Sequence, residues 1–145
     1  MAVQRWMGLL SQRRPRTRGR YLVDFSFNGK NMSTTMTSDL AKKECKPCDG
    51  KTPPLKGDAL KQMQNQLGNE WQVLHEQKLE RQFKFPDFRS ALDFVNEVGE
   101  IAEAQNHHPD ISFTWGQASI QIWTHSIKGL SEGDFILAAK ISELV

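Results

Sequence analysis

Hydrophobic and polar residues follow two different periods along most of the chain, and each period predicts one kind of secondary structure. Apolar residues spaced by three and four share a helix face, whereas apolar residues spaced by two share a strand face. The segment DALKQMQNQLG has the helical period, with Leu60, Met63 and Leu67 on one face. Asp58 is placed to cap this predicted helix and Gly68 to end it.

The next segment, EWQVLHEQKLERQFKF, has the period of a strand. On either side of a polar stretch, its apolar residues are an even number of positions apart, as residues on one face of a strand are. They are Trp71, Val73, Leu79, Phe83 and Phe85. We predict two antiparallel strands joined by a short turn near residues 76–78.

The strongest helical pattern is DFRSALDFVNEVGEIAEAQ, which Pro86 and Asp87 open. Its predicted apolar stripe has spacings of three and four and comprises Phe88, Ala91, Leu92, Val95, Val98 and Ala102. We predict that the helix ends before His108, because Pro109 disfavours the helical conformation in the residue before it.

A second strand pair follows, since DISFTW and ASIQIWTH both alternate and Gly116 stands between them. The alternating residues are Ile111, Phe113 and Trp115 in the first strand, and Ile120 and Ile122 against Gln121, Trp123 and His125 in the second. His125 is predicted to close the second strand.

The chain ends with a predicted helix that begins at SEGD, where Ser131 and Asp134 have the spacing of a capping box. Its apolar residues are Phe135, Leu137, Ala138, Ile141 and Leu144. The resulting order, α-β-β-α-β-β-α, indicates an α+β fold with a four-stranded antiparallel sheet and helices packed on one face. Edge-to-edge pairing of two copies into a dimer would cover the exposed edges of such a sheet.

The charge of the 145-residue chain is unevenly distributed. Residues 1–35 hold seven Lys and Arg against one acid, a net charge of +6, while residues 36–145 hold twelve against sixteen, a net charge of −4. We therefore expect the folded part not to bind nucleic acid directly. The sequence also lacks the roughly 20 consecutive apolar residues of a membrane-spanning helix.

The basic leader, residues 1–38, is compatible with a mitochondrial presequence or a nucleic-acid-binding arm. We favour a disordered extension, or a start codon placed too early, since Met32 and Met36 offer later starts. Residues 39–54 form a loop segment rich in Cys, Pro and Gly, and residues 55–145 the predicted domain.

The two cysteines, Cys45 and Cys48, provide no disulfide framework, which favours a reducing cytoplasm. Their C-x-x-C spacing is compatible with half a zinc site or a redox pair. Neither a second C-x-x-C nor the strand-to-helix context of a thioredoxin motif follows, so we favour unlinked thiols.

Three of the four histidines, His107, His108 and His125, lie close together in the sequence. Glu103 precedes His107 by four residues, so on one helix the two side chains would share a face and the carboxylate would orient the imidazole. Histidine gives or takes a proton near neutral pH, which makes this group a candidate for acid–base catalysis.

Each of these residues also has a purely structural interpretation. A histidine at a helix C-terminus is favoured by the helix dipole, and Asp134 has the position of a capping residue. Trp115 and Trp123 are suited to a core or an interface, or to stacking on a planar ligand. A zinc site of three histidines is a further, weaker alternative, because it lacks the usual helical i, i+4 pair.

The spacing across the group resembles the pterin-4a-carbinolamine dehydratase family in its bacterial form. E-x-x-x-H-H-P is followed after seventeen residues by His125 in W-T-H-S-I-K-G-L-S, and after nine more by Asp134. F-x-F-x-x-F before the long helix and G-L-S-x-x-D-F-x-x-A at the end belong to the same likeness, which covers residues 55–145.

The resemblance implies dehydration of a 4a-hydroxytetrahydropterin to the quinonoid dihydropterin and water, in pterin recycling for aromatic amino-acid hydroxylation. It implies histidine acid–base catalysis with no redox cofactor and no metal. The implied catalytic residues are His107, His108, His125 and Glu103, and the implied substrate contacts are Asp134, Trp123 and Pro109. We expect His107 and His125 to transfer protons and His108 to position the pterin.

The resemblance also implies a homodimer or homotetramer and a functional link to phenylalanine hydroxylase. Two other functions stay open. The first is a non-catalytic binding module that acts as a dimerisation or transcriptional cofactor through the long helix, and the second is an enzyme with a different pterin substrate.

Overall fold

The computed structural model describes residues 39–46 and 50–145, so the predicted leader and Cys48 lie outside the described residues. Residues 39–41 are helical. The domain that follows consists of helices α1 (Gly57–Leu67), α2 (Phe88–Gln105) and α3 (Glu132–Ser142) and strands β1 (Gln72–Leu74), β2 (Lys78–Lys84), β3 (Asp110–Thr114) and β4 (Gln117–Ile122). A 3₁₀ turn, His125–Ile127, connects β4 to α3.

The four strands form one antiparallel sheet in the order β1-β2-β4-β3. Its inner face is apolar because the register brings apolar residues together, as where Leu79 pairs with Ile122 and Phe83 with Ala118. The outer face carries polar residues such as Glu80, which pairs with Gln121 and accepts a hydrogen bond from its side chain. The predicted α+β fold is therefore confirmed.

The helices cover the inner face and enclose the core. α2 contacts β3 and β4, α3 contacts β2 and β4, and α1 packs on α3. Trp71, Phe94 and Phe135 are the largest side chains that this arrangement buries fully. Eight of the eleven residues of α3 are buried, so α3 is the central helix of the domain.

Helix α1 begins two residues earlier than the predicted N-cap, Asp58, implies. Its N-cap is Lys56, which is extended and makes no side-chain capping bond, and Asp58 lies inside the first turn. The predicted capping by Asp58 is therefore wrong, although its charge still favours the positive end of the helix dipole. Gly68 ends the helix as predicted, with φ of 96°.

The buried face of α2 is rotated from the predicted stripe. Ala91, Phe94, Val98 and Ala102 are buried, whereas the side chain of Phe88 is 47% exposed. The rotation follows from the packing of Phe94. The centroid of its ring lies 4.6 Å from that of Phe83 in β2 and 5.0 Å from that of Phe85, which directly follows β2. Phe88 lies in the first turn and contacts the exposed ring of Phe113 rather than the buried core, so its place in the predicted stripe is wrong.

The second strand pair has the predicted turn. Gly116 has φ of 71°, and a Cβ atom there would stand 2.9 Å from the carbonyl oxygen of Phe85, so only glycine fits. His125, however, does not lie in β4: the strand ends at Ile122, Thr124 bridges to Gly129, and His125 begins the 3₁₀ turn. No helix among the described residues is long and apolar enough to span a membrane.

Candidate active site

The end of α2 sets the direction of His107. Asn106 adopts the left-handed conformation with φ of 49°, and its N–H donates to the carbonyl of Glu103 at 3.1 Å. The N–H of His107 donates to the carbonyl of Ala102 at 3.1 Å. These two bonds form a Schellman ending, which turns the chain out of the helix before the two histidines.

His107 points inward and meets a buried carboxylate. Its Nε2 atom lies 2.6 Å from Oδ1 of Asp134, and the side chains of His107 and Asp134 are 17% and 0% exposed. Since the carboxylate accepts, Nε2 carries the proton in the neutral ring, and Nδ1 is the acceptor nitrogen. Within the described part of the chain, Nδ1 has no hydrogen-bond partner from the protein.

The other oxygen of Asp134 is also engaged. Oδ2 accepts from the Thr124 hydroxyl at 2.8 Å, from the Ser131 N–H at 2.7 Å and from the Ser131 hydroxyl at 3.0 Å. Asp134 also closes the predicted capping box of α3 with Ser131. The carboxylate therefore has little freedom to rotate, and it holds His107 in one orientation.

Glu103 contacts a different histidine from the one predicted. Its Oε1 atom lies 2.9 Å from Nε2 of His108, and both side chains are exposed, at 80% and 58%. The predicted pairing of Glu103 with His107 is wrong because the Schellman ending takes His107 off the helix face that Glu103 occupies. The Glu103–His108 pair faces solvent, where such pairs contribute little to stability.

His125 stands against an aromatic side chain that is itself restrained. The rings of His125 and Trp123 meet edge to face with centroids 4.0 Å apart. Nε1 of Trp123 donates to Asp110 at 3.1 Å, and the ammonium of Lys78 lies 4.5 Å from the ring centroid of Trp123. These contacts fix the indole as one wall of a site.

The three histidines meet at one cavity of about 300 Å³, which is near the lower end of ligand-pocket volumes. Its lining residues are Asn106, His107, His108, Trp123, Thr124, His125 and Ser126. Asp134 lies beneath His107 rather than in the wall, and Pro109 and Glu103 are not among the lining residues.

Thr124, Asn106 and Ser126 line the cavity and were missed by the sequence-based prediction. The hydroxyl of Thr124 donates a hydrogen bond to Asp134. Its position directly before His125 was the only feature of the sequence that could have indicated a place in the site. Asn106 tolerates the left-handed conformation better than most residues, which is the only signal its position carries. The described residues contain no group of three or more His, Cys, Asp or Glu side chains placed to hold a metal ion.

Comparison with known proteins identifies the family. The model of the family described as pterin 4 alpha carbinolamine dehydratase matches residues 53–144. The chain belongs to this family. It is therefore a dehydratase, an enzyme of the lyase class.

Two relatives named after the same dehydratase show how far the similarity extends. The protein of Rubrobacter xylanophilus is 57% identical over 107 residues, which cover 74% of this chain and 99% of the relative. The protein of Alkaliphilus metalliredigens is 46% identical over 106 residues, covering 73% of this chain and 96% of the relative.

A solved structure gives the same fold. The transcriptional coactivator/pterin dehydratase from Brucella melitensis aligns with a TM-score of 0.58 and 26% identity, covering 63% of this chain and 97% of that one. The match supports the α+β architecture described above.

Proposed function

We propose that this dehydratase converts a 4a-hydroxytetrahydropterin to the quinonoid dihydropterin and water by histidine acid–base catalysis. One observation carries the proposal: His107, His108 and His125 surround a single cavity of about 300 Å³, and His107 is anchored by a buried carboxylate. A planar bicyclic ring with donors and acceptors on its edge suits a cavity lined by imidazoles and one indole.

The reaction needs two proton transfers and no electron transfer. The bond between C4a and the hydroxyl oxygen breaks, and the hydroxyl takes a proton and leaves as water. A ring nitrogen loses a proton, so the charge balances and the ring keeps its electrons as a new double bond. Positioned imidazoles contribute about 10²–10⁴-fold to such steps.

His107 is the residue that the geometry best supports as a proton-transfer group. Asp134 occupies its Nε2, which leaves Nδ1 for the substrate. His125, which lines the same cavity and contacts Trp123, is the proposed second proton-transfer group. His108, which is exposed and paired with Glu103, is proposed to position the pterin.

The remaining predicted contacts have weaker support. Trp123 lines the cavity, which favours stacking on the pterin. The full burial of Asp134 favours support of His107 over direct contact with the substrate. Pro109 is half-buried and adjoins His108, so we propose only that it directs that residue.

The decisive experiment is a dehydration assay with chemically generated 4a-hydroxytetrahydropterin, followed by absorbance. We expect the purified protein to accelerate dehydration and His107→Ala to lower kcat about 10²-fold or more. His75→Asn is the matched control, because this fourth histidine lies in the β1–β2 turn and does not line the cavity. An unaccelerated reaction, or a His107→Ala variant at full rate, would refute the proposal.

The chemistry also suggests the setting of the enzyme. Its substrate is the product that pterin-dependent aromatic hydroxylation leaves, so we propose a functional link to a phenylalanine hydroxylase in the cytoplasm. We further propose a homodimer or homotetramer, supported by the exposed edge strand β3 and by the exposed aromatic residues Phe113 and Trp115.

The alternative is a binding module without catalysis. The name of the Brucella melitensis structure, which includes transcriptional coactivator, is the observation that favours it. The exposed side of α2 would then be the contact surface. The dehydration assay separates the two functions, because a binding module would leave the substrate untouched.

A further inference from the structure

The short segment formed by residues 39–46 is anchored to the domain core. Leu40 and Ala41 are buried, at 1% and 6% exposure. The carbonyl of Ala41 accepts a hydrogen bond from the ammonium of Lys140, near the end of α3, at 2.7 Å. The segment is therefore held firmly enough to restrain what it touches at its other end.

At that other end, Cys45 contacts two chain segments at once. Its backbone N–H donates to Oε1 of Gln105 at 3.0 Å, and its thiol donates to the carbonyl of Gly133 at 3.3 Å. Gln105 is the last residue of α2, two before His107, and Gly133 directly precedes Asp134. Cys45 thus connects the Gln105 side chain at the end of α2 to the backbone of α3 just before Asp134.

We propose that the bridge from Gln105 through Cys45 to Gly133 is a positioning device for the His107–Asp134 hydrogen bond. The proposal rests on the proposed function, because the pair matters for catalysis only if His107 transfers a proton. His107 and Asp134 come from different helix ends, so their 2.6 Å contact depends on the separation of those ends. Cys45 spans that separation from outside the cavity.

The bridge adds a link at the ends of two helices that also pack directly on each other. The Schellman ending orients His107 relative to α2, and the capping box orients Asp134 relative to α3. Neither motif links one helix end to the other. A misplacement of about 1 Å can lower a rate on the order of 10²-fold, so a link between the ends has a measurable effect.

Paired substitutions test the two halves of the bridge. Gln105→Leu removes the acceptor and Gln105→Glu restores one, while Cys45→Val removes the thiol donor and Cys45→Ser restores a hydroxyl donor. We expect Gln105→Leu and Cys45→Val to lower kcat about tenfold with little change in KM, and the conservative variants to recover most of the rate. Lys43→Gln is the control, because it breaks an exposed ion pair of the same segment with Glu132.

A second measurement needs no substrate. The ¹⁵N chemical shifts of the His107 ring report its tautomer, and the bond to Asp134 holds the proton on Nε2. We expect a single tautomer in the wild type, Gln105→Glu and Cys45→Ser, and a mixture of tautomers in Gln105→Leu and Cys45→Val. This readout remains valid if the protein fails the dehydration assay, so the two proposals can fail separately.

The proposal is overturned if Gln105→Leu and Cys45→Val keep the single tautomer of His107. A fall in melting temperature with an unchanged tautomer would mean that the bridge stabilises the fold without positioning His107. An equal loss of rate in Lys43→Gln would likewise overturn it, because the effect would then belong to the segment as a whole.

Discussion

Asp134 combines two tasks in one side chain. Oδ2 caps α3 through Ser131 and accepts from Thr124, while Oδ1 holds His107. A buried carboxylate is favourable only when its oxygens are well bonded, and four contacts within 3.0 Å meet that condition. The same contacts that stabilise the helix start therefore fix the orientation of the proposed catalytic imidazole.

Asp134→Asn should affect stability and rate together. The amide has one acceptor oxygen, so its NH₂ group faces either His107 or the donors of Ser131 and Thr124. A buried donor without an acceptor costs about 1–3 kcal/mol, and we expect the free energy of unfolding in urea to fall by that amount. We expect kcat to fall about 10²-fold, because His107 loses the partner that selects its tautomer.

Glu103→Gln provides the comparison for this prediction. Glu103 also bonds a histidine, but the pair is exposed, so the free energy of unfolding should change by less than about 1 kcal/mol. Wild-type kcat in Asp134→Asn would contradict the role given to Asp134.

Helix α2 leads directly into His107 and His108, and hydrogen bonds at both of its ends fix where it begins and ends. Asp87 is the N-cap, and its carboxylate accepts from the backbone N–H of Ser90 at 2.7 Å. The pKa of Asp87 lies below its usual value mainly because the carboxylate accepts a hydrogen bond from the backbone N–H of Ser90. The hydrogen bond with the Ser90 side chain is the second cause. The N-cap is therefore strongest when Asp87 is ionised.

The depressed pKa gives a signed prediction for stability. A carboxyl group whose pKa is lower in the folded state stabilises the fold above its unfolded pKa, and this contribution is lost as the pH falls through the folded pKa. Asp87→Asn keeps the capping oxygen but cannot titrate. We expect its melting temperature to be lower than that of the wild type at neutral pH and the difference to shrink as the pH falls below about 3.9, the ordinary pKa of an Asp side chain.

Asp58→Asn is the control for the loss of the N-cap. Asp58 lies in the first turn of α1 but is not its N-cap, so its replacement should change the melting temperature at neutral pH less than Asp87→Asn does. If the melting temperatures of the wild type and Asp87→Asn differed by the same amount at every pH, the loss of stability at low pH could not be assigned to Asp87.

Periodicity predicted the elements well because it depends only on which face is buried. The order of elements, the sheet and the start of α2 at Asp87 all followed from local patterns. The buried face of α2 did not, because both Phe88 and Phe94 suit a core and only the sheet beneath decides between them. A pattern that fits two neighbouring faces cannot choose one.

The residues of the site were predictable to a larger extent than their contacts. The spacing of the histidines selected His107, His108 and His125, which the fold brings to one cavity. The i, i+4 rule then paired Glu103 with His107, and it failed because Asn106 leaves the helical conformation first. The true partner of His107 is Asp134, 27 residues away, and only tertiary structure brings them together.

Exposed apolar side chains lie close together beside one edge of the sheet. β3 is an edge strand, and Phe113 and Trp115 at its end are 37% and 69% exposed. The ring of Phe113 lies 5.5 Å from that of Phe88, which is also exposed. Edge strands with adjacent apolar groups favour pairing with another chain, and a second copy is the partner always present.

Trp115→Glu should weaken the proposed self-association. Trp115 is the most exposed of the large apolar side chains in the described part of the chain, so its replacement should leave the fold intact. We expect sedimentation velocity to show an oligomer for the wild type and a shift towards monomer for the variant, because a carboxylate would be buried at the contact. Val145→Glu changes another exposed apolar residue, one that lies outside the sheet, and should keep the wild-type mass. A wild-type protein that is monomeric at all concentrations would contradict self-association, and an unchanged mass in Trp115→Glu would place the contact elsewhere.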